Sequence, residues 1–401
     1  MPFSRTPFIF VAIFAIAAAP RQAAAQFTNG QSAFRVIGQT NFTANSSGVS
    51  TTTLNLPVAV AIDAARGKMY VSDYNNNRVV RYAYPVVTNG PAAEVAFGQP
   101  TLTSSAPNNG GVGAASLNLP FSMCLDTSGT LYVADYGNNR VLAYTDAHLV
   151  SANGPSAVRV LGQPNLTGSS FGNSSTTMRN PISVAWESPD RLWVAELTND
   201  RVLRFENVSQ KPNGAAADGV LGQPGFMSSG SGTTAARIFG PYAVAVSGGT
   251  LFVADTGNQR VLGFANAAAK ANGASANGVL GQANFTSNAT AVSATGLDMP
   301  AGLCVDLSGR LYISDNGSSR VVYHSAVAGK TNGAAADGVL GQSNFTGFGS
   351  STTASTLNFP YGVDVDSTNN VLAIVDTFSN RVVLQQASSP LPAAVSGVSV
   401  E

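Results

Sequence analysis

Six acidic residues each stand five positions ahead of an arginine: Asp73 and Arg78, Asp135 and Arg140, Glu196 and Arg201, Asp255 and Arg260, Asp315 and Arg320, Asp376 and Arg381. Opposite charges at one short spacing can form an anion or metal ring, or they can pair with each other and brace a turn. Because all six copies repeat the spacing, the bracing role is expected, with the carboxylate capping a turn and the arginine pairing across it. Recognition is then to be sought where the copies differ. One or two residues after the acid, three copies carry Tyr74, Tyr136 and Phe378, where the others carry Leu197, Thr256 and Asn316. Exposed aromatics in one sector suit a sugar, peptide or protein surface, which makes Tyr74, Tyr136 and Phe378 candidate binding residues.

Asp364 is the other candidate. It lies four residues after Pro360, at a repeat position otherwise held by Ala61, Cys124, Ala185, Ala245 and Cys304. A carboxylate among small apolar residues either meets solvent, metal or substrate near a central channel or is buried at a cost. Cys124 and Cys304 belong to the second and fifth copies, opposite one another in a six-fold ring, so no disulfide is expected. With only His148 and His324, a histidine-based zinc centre lacks its ligands. No nucleophile triad and no phosphate-binding glycine loop is present. A calcium site needs only Asp, Glu and Asn around a channel, and it stays open as the alternative to a cofactor-free protein.

The elements that must position these residues follow from the repeat. A proline opening an apolar, alternating run recurs at Pro57, Pro120, Pro181, Pro241, Pro300 and Pro360, at steps of 63, 61, 60, 59 and 60 residues. Asn-Gly followed eight residues later by Gly-Gln recurs at Gly38, Gly98, Gly162, Gly222, Gly281 and Gly341. Each copy holds four short runs of period-two alternation between Gly-, Asn- and Asp-rich turns, the pattern of four strands. Six four-stranded units predict an all-β, six-bladed β-propeller, with blades near 57–98, 120–162, 181–222, 241–281, 300–341 and 360–386. The last copy lacks its fourth strand, and an unpaired one, residues 33–39, precedes the first, so the N-terminal strand is expected to complete the last blade and close the ring.

The run Pro120 to Val141, with Leu131-Tyr132-Val133-Ala134-Asp135 and Asn139-Arg140-Val141, resembles the NHL repeat. Six copies resemble an NHL-type propeller over nearly all of residues 26–386. The third copy departs from the pattern with Glu187 and Glu196, and the fourth with Ser247. The resemblance implies the fold; for activity it is broad, since this architecture hosts binding platforms, sensors, lyases and lactonases.

Composition bounds the rest. Lys and Arg total 21, as do Asp and Glu, so no basic field exists to hold nucleic acid. Residues 1–25 carry a polar start with Arg5, an apolar run from Phe8 to Ala19, and Ala23-Ala24-Ala25 before Gln26. This reads as a signal peptide cleaved after Ala25, giving a secreted or periplasmic protein without a membrane span. Residues 387–401 read as a linker or disordered tail. The acid-to-Arg turns are expected to share a face with the six long connectors 39–56, 99–119, 163–180, 223–240, 282–299 and 342–359. The expected function is a monomeric, non-catalytic scaffold that binds protein, peptide or glycan through that long-loop face. The alternative is a metal-dependent hydrolase or lyase at the channel.

Overall fold

The computed structural model describes residues 26–388; the signal-peptide reading of 1–25 and most of the expected tail, 389–401, lie outside them. The described chain forms six four-stranded antiparallel sheets. Strand β1 (Arg35–Ile37) comes first, and blade 1 follows as β2 (Pro57–Asp63), β3 (Lys68–Asp73), β4 (Arg78–Ala83) and β5 (Val95–Phe97). Blade 2 is β6 (Pro120–Leu125), β7 (Leu131–Asp135), β8 (Arg140–Tyr144) and β9 (Arg159–Leu161). The same order repeats, with inner strands β10 (Pro181–Glu187), β14 (Pro241–Ser247), β18 (Pro300–Val305) and β22 (Pro360–Asp366). Each inner strand packs against the inner strands on either side, and β22 meets β2, so the ring is closed.

The sixth blade is completed by β1, which pairs antiparallel with β24 (Arg381–Gln386) in the register Arg35 to Leu384, Val36 to Val383 and Ile37 to Val382. Val36 and Ile37 point to opposite faces of that sheet and are fully buried, one in the core shared with blade 5 and the other in the core shared with blade 1. The order extends slightly beyond the expected boundary at 386, because Ala387 is buried and Ser388 bridges to Gln26.

Between blades lie six apolar clusters. One joins Tyr70, Val79 and Phe97 of blade 1 to Met123, Val133 and Leu142 of blade 2. The apolar residue after each Gly-Gln, namely Phe42, Leu102, Leu166, Phe226, Phe285 and Phe345, packs against one of these clusters. Gly-Gln itself is explained by backbone and side chain together. The glycines sit at φ of +82° to +85°, a left-handed conformation a Cβ would strain. Each glutamine amide then ties the loop to the acid-to-Arg turn, as Gln99 does by donating to the Asn77 carbonyl at 3.0 Å. The Asn of Asn-Gly links blades from outside: Asn89 accepts the Val36 amide, Asn153 that of Ala96 and Asn213 that of Val160.

Burying two aliphatic side chains contributes about 3–6 kcal/mol, comparable to the roughly 5–15 kcal/mol net stability of a domain. Deleting residues 26–39 removes Val36, Ile37 and the seam, and is expected to lower the melting temperature sharply. An unchanged melting curve would contradict closure by β1.

Candidate functional site

The acid and arginine of every copy are ion-paired with both side chains fully buried, at 2.5 to 2.8 Å. Each arginine does more than neutralise its acid. In blade 1, Arg78 donates through Nε to Asp73, through Nη1 to the Leu102 carbonyl in the following connector, and through Nη2 to the Ser50 and Thr53 carbonyls in the preceding one. The other five arginines repeat this, and Arg381 reaches Phe42 across the ring seam. The acid's second oxygen accepts a connector amide, as Asp73 does from Asn55 at 2.7 Å. Burial pushes Asp315 up to about 6, against the pull of Arg320. These twelve side chains are spent on holding loops and present no open coordination site.

On the face those loops form, aromatic rings converge. The residue after each proline alternates in size around the ring: Val58, Phe121, Ile182, Tyr242, Ala301 and Tyr361. The large ones come from blades 2, 4 and 6 and meet across the axis, with ring centroids 5.8 Å apart for Phe121 and Tyr361, 6.0 Å for Phe121 and Tyr242, and 6.2 Å for Tyr242 and Tyr361. Phe121 also touches Tyr74 at 5.7 Å and Tyr136 at 6.1 Å. Together with Leu197 and Phe378 these rings line a bowl of about 190 Å³. Phe378 stands at its rim, in tilted contact with Phe359 at 4.9 Å between ring centroids.

Thus Tyr74, Tyr136 and Phe378 share one cavity, while Phe121, Tyr242 and Tyr361 were missed by reading only the acid-to-Arg turns. The signal was available one residue after each proline. Burial raises the phenols of Tyr74, Tyr136 and Tyr242 and pushes Tyr361 up to about 12, so all four stay protonated at neutral pH. Among the described residues none of these four hydroxyls has a hydrogen-bond partner. The six connectors around the bowl carry only three charged residues, Arg179, Arg237 and Asp298, and expose Phe171, Met227 and Phe348.

Beneath the three central rings, the inner strands enclose a channel of about 300 Å³. Its lining side chains are mostly apolar, with Ser122 and Ser183 among them, and Asp364 is the one charged side chain there. Asp364 accepts the Ile62 amide at 2.7 Å, a contact from the last blade to the first. Enclosure away from water is the main cause that pushes its pKa from the ordinary 3.8 up to about 6, opposed by the Ile62 and Val365 amides. Cys124 and Cys304 face the same space as free thiols, both pushed up by burial. His148 and His324 lie away from it in blades 2 and 5, and burial lowers His324 to about 4. Among the described residues no three His, Cys, Asp or Glu side chains gather where an ion could sit.

The NHL repeat family matches residues 117–144 and 297–322, the first three strands of blades 2 and 5. Blades 2 and 5 carry NHL repeats. The other four blades have the same strands and ion pair. In three dimensions this propeller is similar to a gluconolactonase from Xanthomonas campestris, at 12% identity over 88% of this chain and 98% of that one, with a TM-score of 0.50. A putative gluconolactonase is similar at 13% identity over 88% and 97%, also with a TM-score of 0.50. Virginiamycin B lyase from Staphylococcus aureus aligns at 11% identity over 84% and 81%, with a TM-score of 0.43. At such identities the likeness is one of fold. No curated protein matches the sequence significantly. Among the described residues no helix is long and apolar enough to cross a membrane.

The raised Asp364 pKa has a stability consequence with a definite sign. The folded protein holds this proton more tightly than the unfolded chain does, so the contribution is full below about pH 4 and lost as pH rises through about 6. Asp364→Asn is therefore expected to raise stability by about 1–3 kcal/mol near pH 7.5 and to change it little near pH 4, measured by denaturant unfolding. A variant less stable than the parent near pH 7.5 would refute the assignment.

Proposed function

We propose that this protein is a non-catalytic binding module, exported to an extracellular or periplasmic space, that seats an uncharged ring or apolar side chain of a glycan, peptide or protein in its aromatic bowl. The observation that carries the reading is the convergence of Tyr74, Phe121, Tyr136, Tyr242 and Tyr361 at the channel mouth, with four phenol hydroxyls left free. Aromatic faces take up the C–H or π face of a ligand while hydroxyls orient it. The near absence of charge on the six connectors, where Arg179 and Arg237 are the only basic residues, favours a neutral ligand over an anion. The apolar Phe171, Met227 and Phe348 on the surrounding loops widen the contact for a larger partner.

A second reading, a metal-dependent hydrolase or lyase working at the channel, draws on the fold likeness to gluconolactonases and on Asp364. Calcium takes six to eight oxygen ligands, whereas the channel offers one carboxylate already engaged by backbone amides. The side chains present do not fit such a centre, and no catalytic step is derived through it.

Replacing Tyr74, Tyr136 and Phe378 together by alanine is expected to abolish ligand capture on glycan and peptide arrays while leaving the melting temperature within a few degrees of the parent. Retained capture would sink the bowl as the binding site. Metal analysis with a chelator melt separates the second reading: one tightly held calcium per chain, lost together with several degrees of melting temperature, would favour it.

A further inference from the structure

We propose that the central channel is a second binding site, for a small organic ammonium ion, a protonated amine on a compact apolar body, with Asp364 as its counter-charge. The six fully buried acids named above each have an arginine within 2.8 Å. Asp364 has no cationic side chain among its partners, only the amides of Ile62 and Val365. Nor does the fold require it, because five of the six blades carry Ala or Cys at that register. A lone carboxylate within apolar walls, at a position the scaffold fills with methyl groups elsewhere, is placed for a ligand that brings a positive charge.

The remaining walls specify the kind of cation. Most side chains lining the channel of about 300 Å³ are valine, alanine, leucine and isoleucine, which solvate an alkyl or aryl body, while Ser122 and Ser183 add polar positions. Cys124 and Cys304 remain neutral thiols and add no second negative charge. Blade 3 lies across the ring from blade 6, and there Trp186 lines the channel, its indole nitrogen buried without a hydrogen-bond partner. An indole face attracts ammonium ions more strongly than the aliphatic residues that fill this register in the other blades. A bare divalent metal finds too few oxygens, and an anion meets only repulsion from Asp364.

Binding should follow the charge of Asp364. The groups facing it do not titrate between about pH 5 and 7.5: Asp366 is held low by Asn369 and Tyr84, while burial pushes Tyr84, Cys124 and Cys304 upward. Asp63, on the adjoining inner strand, is paired with Arg66.

The protein has two tryptophans, and Trp193 is fully buried with its N–H on Glu187, so Trp193→Phe leaves Trp186 as the reporter. Benzylamine and its uncharged analogue benzyl alcohol are titrated against this variant, by fluorescence and calorimetry, near pH 7.5 and pH 5. The expected result is one saturable benzylamine site, at least tenfold tighter than benzyl alcohol, weakened near pH 5 and weakened at least tenfold by Asp364→Asn. Asp364→Ala, which mimics blades 1, 3 and 4, controls for folding by its melting curve and should lose the site as well. Equal affinity for the two probes, full affinity in either folded Asp364 variant, or displacement of benzylamine by calcium would overturn the proposal.

Discussion

The buried carboxylate–guanidinium pair repeated in every blade is the constraint on which the rest of this propeller depends. A guanidinium has five donors in a rigid fork, and in Arg260 four of them are engaged: Nε on the acid and three on carbonyls of two successive connectors. Each long connector is held from both ends by arginines of neighbouring blades. The loops between blades are rich in Gly, Ser, Thr and Asn, and apart from packed residues such as Phe42 and Leu54 they have little apolar side chain to fix them. The arginine fork ties down the remaining backbone. The pair contributes order more than net stability, because desolvating two charges offsets most of their attraction, while removing one partner costs about 3–5 kcal/mol. The seam obeys the same rule: Arg381 in the last blade holds the connector that follows β1.

A rigid loop face lets side chains from different blades meet with small error. Three large rings from alternate blades fit across the axis because Val58, Ile182 and Ala301 make room between them. The same alternation separates two environments. Above the rings lies an open, aromatic and nearly uncharged bowl; below them lies an apolar channel holding a single acid. Charge is distributed accordingly. The turns such as Asp63 to Lys68 and the ion pairs of Lys68 and Arg81 with Glu94 stand at the opposite ends of the strands. One face keeps the molecule hydrated, and the other is free to be apolar.

The repeat markers made the architecture legible in the sequence, down to the strand that completes the last blade. Constant spacing showed that the acids and arginines belong to every blade alike, and Asp364 stood out as an exception to a small-residue register. Tyr74, Tyr136 and Phe378 were visible because they break the pattern of their turns. Phe121, Tyr242 and Tyr361 were not, because each looks unremarkable within its own strand and only ring closure brings blades 2, 4 and 6 onto one axis. The roles of Gly-Gln and Asn-Gly stayed hidden for a related reason. Their partners are backbone groups, which carry no mark in a sequence.

The central claim, that each buried arginine orders the two connectors flanking its blade, is tested most directly by amide hydrogen exchange on Arg260→Lys. Lysine keeps the charge but cannot reach Asp255 together with the carbonyls of Phe285, Thr234 and Arg237. Loss of protection is expected across 223–240 and 282–299, with the strands of the other blades unchanged. Unaltered protection in both connectors, in a folded variant, would contradict it.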